Sequence, residues 1–256
     1  MESNIYTKDY LVSRLITMNK EVPGYSKVYY QANENLVDYL DTDFYDKDVF
    51  SVLASSDQVF TARFLDAKTV DSFDFNRLTL YYYYLRIWSI KYANELYPLV
   101  LNGNKWLNHL LHLVKPSSEQ EQRALEFFKQ HIKDHSNLYN LFYNIEAQPE
   151  GKVLYTKPEE LKGCIEQPLE FFHLDMFKQI ELERTYDILL LSNILDWARN
   201  DQSKLRIVKE NIDRLLRPNG IVICSNLVNR NLSPEKEIFS EYSFNQTGRT
   251  YTYTKR

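Results

Sequence analysis

The sequence predicts an α/β fold: a mostly parallel sheet with a C-terminal antiparallel hairpin, an N-terminal helical segment and a helical insertion. Three observations predict it. Short apolar, partly β-branched runs alternate with stretches of helical periodicity, which is the pattern of parallel strands joined by crossover helices. Several of those runs end in small polar or acidic residues. The last sixteen residues, "EYSFNQTGRTYTYTKR", hold two alternating runs around "NQTG", as in a hairpin.

The elements follow in order. Tyr10, Leu11, Leu15 and Ile16 recur at helical spacing until Pro23-Gly24 breaks the run, and "NENLVDYL" (Asn33–Leu40) predicts a further short helix. Residues 1–45 are therefore expected to form a helical cap on a domain that spans 46–256. Val49–Leu53 predicts the first strand. "SSDQVFTARFLDA" then supplies a turn and a helix, with Ser56 or Asp57 as N-cap. Thr69–Phe73 predicts a second strand that ends at Asp74. "NRLTLYYYYLRIWSIKYANEL" is apolar or aromatic on most faces and predicts a helix buried on several sides. Four consecutive helical residues cover the whole circumference, so Tyr81–Tyr84 are expected to be core and wall. Residues 99–150 predict a helical insertion, with Leu125, Phe128, Ile132, Tyr139 and Phe142 on one stripe. Strands are expected again at Leu169–Leu174, ending at Asp175, and at Tyr186–Leu191, ending at Ser192-Asn193. "SKLRIVKENIDRLLR" predicts an amphipathic helix closed by Pro218-Asn219-Gly220, and Ile221–Cys224 the next strand.

Ligands on open parallel sheets sit outside the carboxyl ends of the strands. Here those ends carry Ser55, Ser56, Asp57 and Gln58, then Asp74, then Asp175, then Ser192 and Asn193. Asp74 follows the first turn by about 20 residues, the spacing at which an acid reaches ribose hydroxyls; it would also repel a 2′-phosphate. A capping role after the strand is the alternative. Asp175 is suited to accept from an adenine amine or to cap a helix. Asp57 opens a helix, where a negative charge is favourable without any ligand; it would also suit a cationic cofactor and oppose a pyrophosphate. Asn193 and Asp196, in "LLLSNILDW", are candidates to orient an acceptor or take a proton, and Trp197 to stack on it.

Composition narrows the classes. With 44% hydrophobic residues and 256 positions, the chain can bury a full core. Net charge is −4 and no basic block occurs, so a nucleic-acid partner is not expected. No apolar run reaches the length of a membrane span, and no export signal is evident, so a cytoplasmic protein with reduced Cys164 and Cys224 is expected. The sequence leaves the oligomeric state open. His131 and His135 lie four apart without an evident third ligand, so no metal site is expected. Of the six glycines, none lies between Gly24 and Gly103, so the first strand–turn–helix unit must turn without the residue best suited to positive φ.

The order of these motifs resembles the Rossmann-like class I S-adenosylmethionine-dependent methyltransferases: an acid-ended second strand, "LDMF", "YDILLLSNILDW", "LLRPNGIVI" and a terminal hairpin. More narrowly, "VLASSDQVFTARFLDAKTVDSFDFN" followed by "YYYYLRIWSIKY" is similar to a bacterial family related to S-adenosylmethionine:diacylglycerol 3-amino-3-carboxypropyltransferases. The match covers about residues 45–95 and 165–228. It implies S-adenosylmethionine as cofactor, held by Ser55, Ser56, Asp57, Gln58, Asp74, Phe75, Asn76, Asp175, Met176 and Ser192. It implies transfer of a methyl or 3-amino-3-carboxypropyl group; the aromatic-rich helices expected at 1–40 and 99–150 would form a lid suited to a small, amphiphilic or lipid-like acceptor. A binding or regulatory protein that kept the fold without the reaction is the alternative. The family pattern has glycine where this chain has Ser56, and a positive-φ turn there costs a non-glycine residue about 1 kcal/mol or more.

Overall fold

The computed structural model describes residues 28–98, 104–131, 152–198, 201–225, 238–247 and 249–256. Seven strands form one sheet: β1 (Asp48–Val52), β2 (Thr69–Asp74), β3 (Phe171–His173), β4 (Tyr186–Ser192), β5 (Leu216–Ser225), β6 (Tyr242–Thr247) and β7 (Thr250–Lys255). Their order across the sheet is β3-β2-β1-β4-β5-β7-β6. The first five are parallel; β7 pairs antiparallel with both β5 and β6. The strand order reverses between β1 and β4, which opens a crevice at the carboxyl ends of those two strands. This is a Rossmann-like, mostly parallel sheet with an antiparallel C-terminal hairpin, as the sequence predicts.

The described helices are α1 (Asp57–Phe64), α2 (Leu78–Trp88), α3 (Asn104–Leu113), α4 (Glu119–His131), α5 (Lys162–Ile165), α6 (Ile194–Ala198) and α7 (Gln202–Leu215). No helix among the described residues is long and apolar enough to cross a membrane. Central strands are largely apolar on both faces because both faces of the sheet are covered. Val49, Ile188, Leu190 and Ile223 pack on one side with α1 to α4; Phe50, Leu189, Leu191 and Val222 pack on the other with Leu205, Val208, Ile212 and Leu215 of α7. Leu36, Tyr39 and Phe44 join the first of these cores.

Several boundaries differ from the sequence-based expectation. Of the N-terminal helical segment, Asn33–Leu40 forms a 3-10 helix over Leu36–Asp41 rather than an α-helix; Tyr10 to Ile16 lie outside the described residues. The expected strand at Leu169–Leu174 pairs only over Phe171–His173. The Tyr-rich helix ends at Trp88 and passes into a π-turn, Ser89–Ala93, closed by Asn94 at φ 57°. Pro218-Asn219-Gly220 does not follow the helix as a separate stop. α7 ends at Leu215 and β5 begins at once, with residues 217–220 bulged between the Tyr186–Leu216 and Ile188–Ile221 pairs and Asn219 at φ 62°. Asn245 and Gln246 belong to β6 itself. Of the insertion stripe, Leu125 and Phe128 are buried on α4, and Ile132, Tyr139 and Phe142 lie outside the described residues.

Candidate functional site

A cavity of about 340 Å³ lies in the crevice at the carboxyl ends of the strands. Ala54, Ser55 and Gln58 enter it from the β1–α1 turn. Asp74, Phe75, Asn76 and Thr79 come from the end of β2 and the start of α2. Leu174, Asp175, Met176 and Phe177 follow β3; Ser192, Asn193, Ile194 and Trp197 follow β4; Lys204 comes from α7. The remaining wall is the strap of chain just before the 3-10 helix, where Tyr29, Gln31 and Asn33 face the cavity. The fold thus brings together Ser55, Gln58, Asp74, Phe75, Asn76, Asp175, Met176, Ser192 and Asn193. Ser56, Asp57 and Asp196 are not on the wall.

Asp57 is fully buried and every bond it can make is made within the chain. Its Oδ1 accepts from Arg86 Nη1 at 2.6 Å, from Tyr97 Oη at 3.1 Å and from the Tyr155 hydroxyl. Its Oδ2 accepts from the backbone N–H of Ala32 at 2.6 Å and from Ser55 Oγ at 2.9 Å. Arg86, equally buried, also donates to the Ser55 carbonyl at 2.8 Å, and its guanidinium lies between the rings of Phe60 (4.8 Å) and Tyr97 (4.3 Å). A carboxylate already neutralised by a buried guanidinium has no charge to spare for a cationic ligand. The electrostatic expectation for Asp57 is therefore corrected: it is the node that joins the strap, α1, α2, Tyr97 and Tyr155. One signal pointed to it, a lone arginine inside "YYYYLRIW", since arginine is almost never fully buried unless paired.

The turn without glycine is built from strained residues. Ser56 sits at φ 74° and Ala54 at φ 41°, both in the left-handed region that costs a side-chain-bearing residue about 1–2 kcal/mol; Ser192, at the end of β4, shares it at φ 51°. Ser56 thus adopts a left-handed conformation of the kind that favours glycine. Its Oγ is buried with no hydrogen-bond partner among the described residues.

Asp74 lines the cavity, and Thr79 and the Phe75 N–H donate to its carboxyl. Its oxygens take the N–H groups of Ala54 (3.1 Å) and Asn76 (2.9 Å). Burial pushes its carboxyl up to about 6, against the pull of those N–H groups. Asp175 does both things its position allows: it lines the cavity, and its Oδ1 accepts from Phe177 N at 3.0 Å across the turn after β3. Asp196 is buried in the first turn of α6, its N–H donating to the Asn193 carbonyl at 3.0 Å. Among the described residues no group of three His, Cys, Asp or Glu is placed to hold a metal; His131 stacks on Phe127, and His135 lies outside them.

Sequence reasoning missed Glu34. It is the buried acid of the strap, and its carboxyl accepts from Gln58 Nε2 and Ser225 Oγ, with Ser192 as a further side-chain partner. Nothing in "NENLV" marks it, because a lone glutamate in a polar stretch reads as solvated.

No family model matches the chain. No curated protein matches it. Among solved structures it is similar to the N-methyltransferase NodS from Bradyrhizobium japonicum, with 8% identity over 100% of this chain and 99% of that one and a TM-score of 0.39. It is similar to TehB from Haemophilus influenzae, with 11% identity, 86% and 61% coverage and a TM-score of 0.38. A ribosomal protein L11 methylase from Lactobacillus delbrueckii subsp. bulgaricus gives 12% identity, 86% and 74% coverage and a TM-score of 0.37. Values this low carry no argument about activity. The fold rests on the strand order, and the narrower likeness to the aminocarboxypropyltransferase relatives is not confirmed.

Proposed function

We propose that the protein is an S-adenosylmethionine-binding transferase that methylates a small or amphiphilic acceptor rather than a nucleic acid. The observation that carries this reading is the donor and acceptor set of the cavity at the β1–β4 switch point. Among the described residues its wall holds two carboxyls, Asp74 and Asp175, and one cation, Lys204. Such a wall favours a cationic, hydroxyl-bearing ligand and offers a pyrophosphate one counter-charge against two acids. Gln58 adds a buried Oε1 with no partner among the described residues, an acceptor suited to an ammonium.

In this reading Asp74 accepts from the ribose hydroxyls and Asp175 from the adenine amine. Phe75 and Met176 supply apolar surface to the base, and Ser55, Gln58 and Ser192 hold the amino-acid moiety. The cofactor supplies an electrophilic carbon on a sulfonium. The chain's own part is to fix that carbon against an acceptor and to exclude water. Asn193 orients the acceptor, with Trp197 and the 57%-exposed Phe75 as its apolar contacts. Asp196, off the wall, acts through the α6 turn that carries Asn193.

Calorimetry and thermal shift with S-adenosylmethionine and S-adenosylhomocysteine at millimolar levels test the proposal. Binding that weakens in Asp74→Ala supports it; the absence of heat and of a shift with both ligands rejects it. The mass of the product separates methyl from 3-amino-3-carboxypropyl transfer. Binding without turnover over an acceptor panel points to the regulatory alternative.

A further inference from the structure

Glu34 is a buried acid of the described chain that no cation pairs. Its partners are neutral: Gln58 Nε2, Ser225 Oγ and the Ser192 side chain. Two of these three, Gln58 and Ser192, are wall residues of the cavity. The carboxyl therefore stands one side chain behind the surface that would meet a cationic ligand. The groups packed round it can be named element by element. On α1 the charged neighbour is Asp57, whose charge is offset by Arg86 of α2. After the strap, Tyr39 is a buried neutral phenol, and Asp38 is turned to the Thr250 hydroxyl at 2.8 Å. On β4 and β5 the neighbours are Ser192 and Ser225. Asp74 lies on the cavity wall itself.

Burial of a carboxyl without a counter-ion disfavours its charged form, and a cation brought near it favours that form. Burial raises the Glu34 carboxyl above its ordinary value, in keeping with this.

We propose that Glu34 is a positioning residue that couples cofactor binding to a proton: when a cationic ligand fills the cavity, Glu34 gives its proton to the solvent, and the resulting carboxylate balances the ligand's charge through Gln58 and Ser192. This rests on the S-adenosylmethionine reading of the site. The strap thereby contributes charge to the cavity as well as a wall. S-adenosylhomocysteine has nearly the same shape and keeps the ammonium, but lacks the sulfonium charge, so it draws less of the proton out. By linkage, each unit by which the ligand lowers the carboxyl's pKa is worth a tenfold gain in affinity well above that pKa.

The test is calorimetry of the full chain in two buffers of different ionisation enthalpy, phosphate and Tris, with each ligand in turn. For the unaltered protein, more protons are expected to leave on S-adenosylmethionine binding than on S-adenosylhomocysteine binding. Glu34→Gln, which keeps the shape but carries no charge, is expected to abolish that difference and to weaken S-adenosylmethionine about tenfold while changing S-adenosylhomocysteine less than about twofold. Ser225→Ala removes a donor to the carboxylate without touching the cavity wall. It is expected to weaken S-adenosylmethionine selectively, and it gives a second reading if Glu34→Gln does not fold. Equal proton release for the two ligands in the unaltered protein, or release unchanged in Glu34→Gln, overturns the proposal and leaves the cofactor reading standing. No heat with either ligand overturns both.

Discussion

Ser56 and Asp74 show how single residues set the terms of this site. Ser56 holds φ 74° with a side chain whose hydroxyl finds no partner among the described residues, so it bears a backbone cost and a desolvation cost together. Ser56→Gly is expected to raise stability by about 1–2 kcal/mol, read as a higher urea midpoint at unchanged slope. Asp74 has the opposite relation between fold and ligand. Its folded carboxyl stands at about 6, above the ordinary 3.8, so the folded state disfavours its charge. Its contribution to stability is therefore fullest below about 3.8 and is lost as pH rises through about 6. Ligand binding should run the other way and strengthen over the same window, because the ionised form offers both oxygens as acceptors. Stability and S-adenosylmethionine affinity measured from pH 4 to 8 are expected to cross in this manner, and Asp74→Asn to flatten the stability component. The acid was legible in the sequence from its place after the second strand. Its protonation was not, because burial depends on the strap and on Asn76 and Thr79 closing round it.

At the scale of elements, the junction of α7 with β5 carries the clearest lesson. Pro-Asn-Gly at 218–220 is a helix stop by composition, and the helix does stop at Leu215. The chain re-enters the sheet at Leu216, however, and uses those residues as a bulge in the parallel β4–β5 pair. Gly220 is needed there for closeness. A Cβ at this position would stand 2.7 Å from Leu216 Cδ1 and 2.9 Å from the Arg217 carbonyl. Gly220→Ala is expected to cost about 1–3 kcal/mol by overpacking, measured by chemical denaturation. The strands β1 and β4 were readable because two-sided burial makes them predominantly apolar on both faces. β3 was readable only in part: as the edge of the sheet it pairs over three residues, and apolar flanks such as Leu169 and Leu174 extend the pattern beyond the pairing.

Across the whole molecule, Asp57 and Arg86 tie four stretches together behind the cavity: the strap through Ala32, the β1–α1 turn through Ser55, and the chain at Tyr97 and at Tyr155. Arg86→Met leaves a buried carboxylate with only neutral donors. It is expected to lose about 3–5 kcal/mol of stability, and Arg86→Met with Asp57→Asn to recover part of that, because removing both charges avoids the unpaired one. Denaturation of the two variants beside the unaltered chain checks this. The sequence by itself determined the alternation of strands and helices, the terminal hairpin, and the gathering of polar residues at strand ends, because hydrophobic period and turn chemistry are local. Only the tertiary structure decided what those residues do. It turned Asp57 away from the cavity toward Arg86, let Ser56 stand in for glycine, and set Glu34 behind Gln58 and Ser192. Such pairings join positions from 2 to 191 residues apart, and their energies come from burial, which no spacing along the chain records.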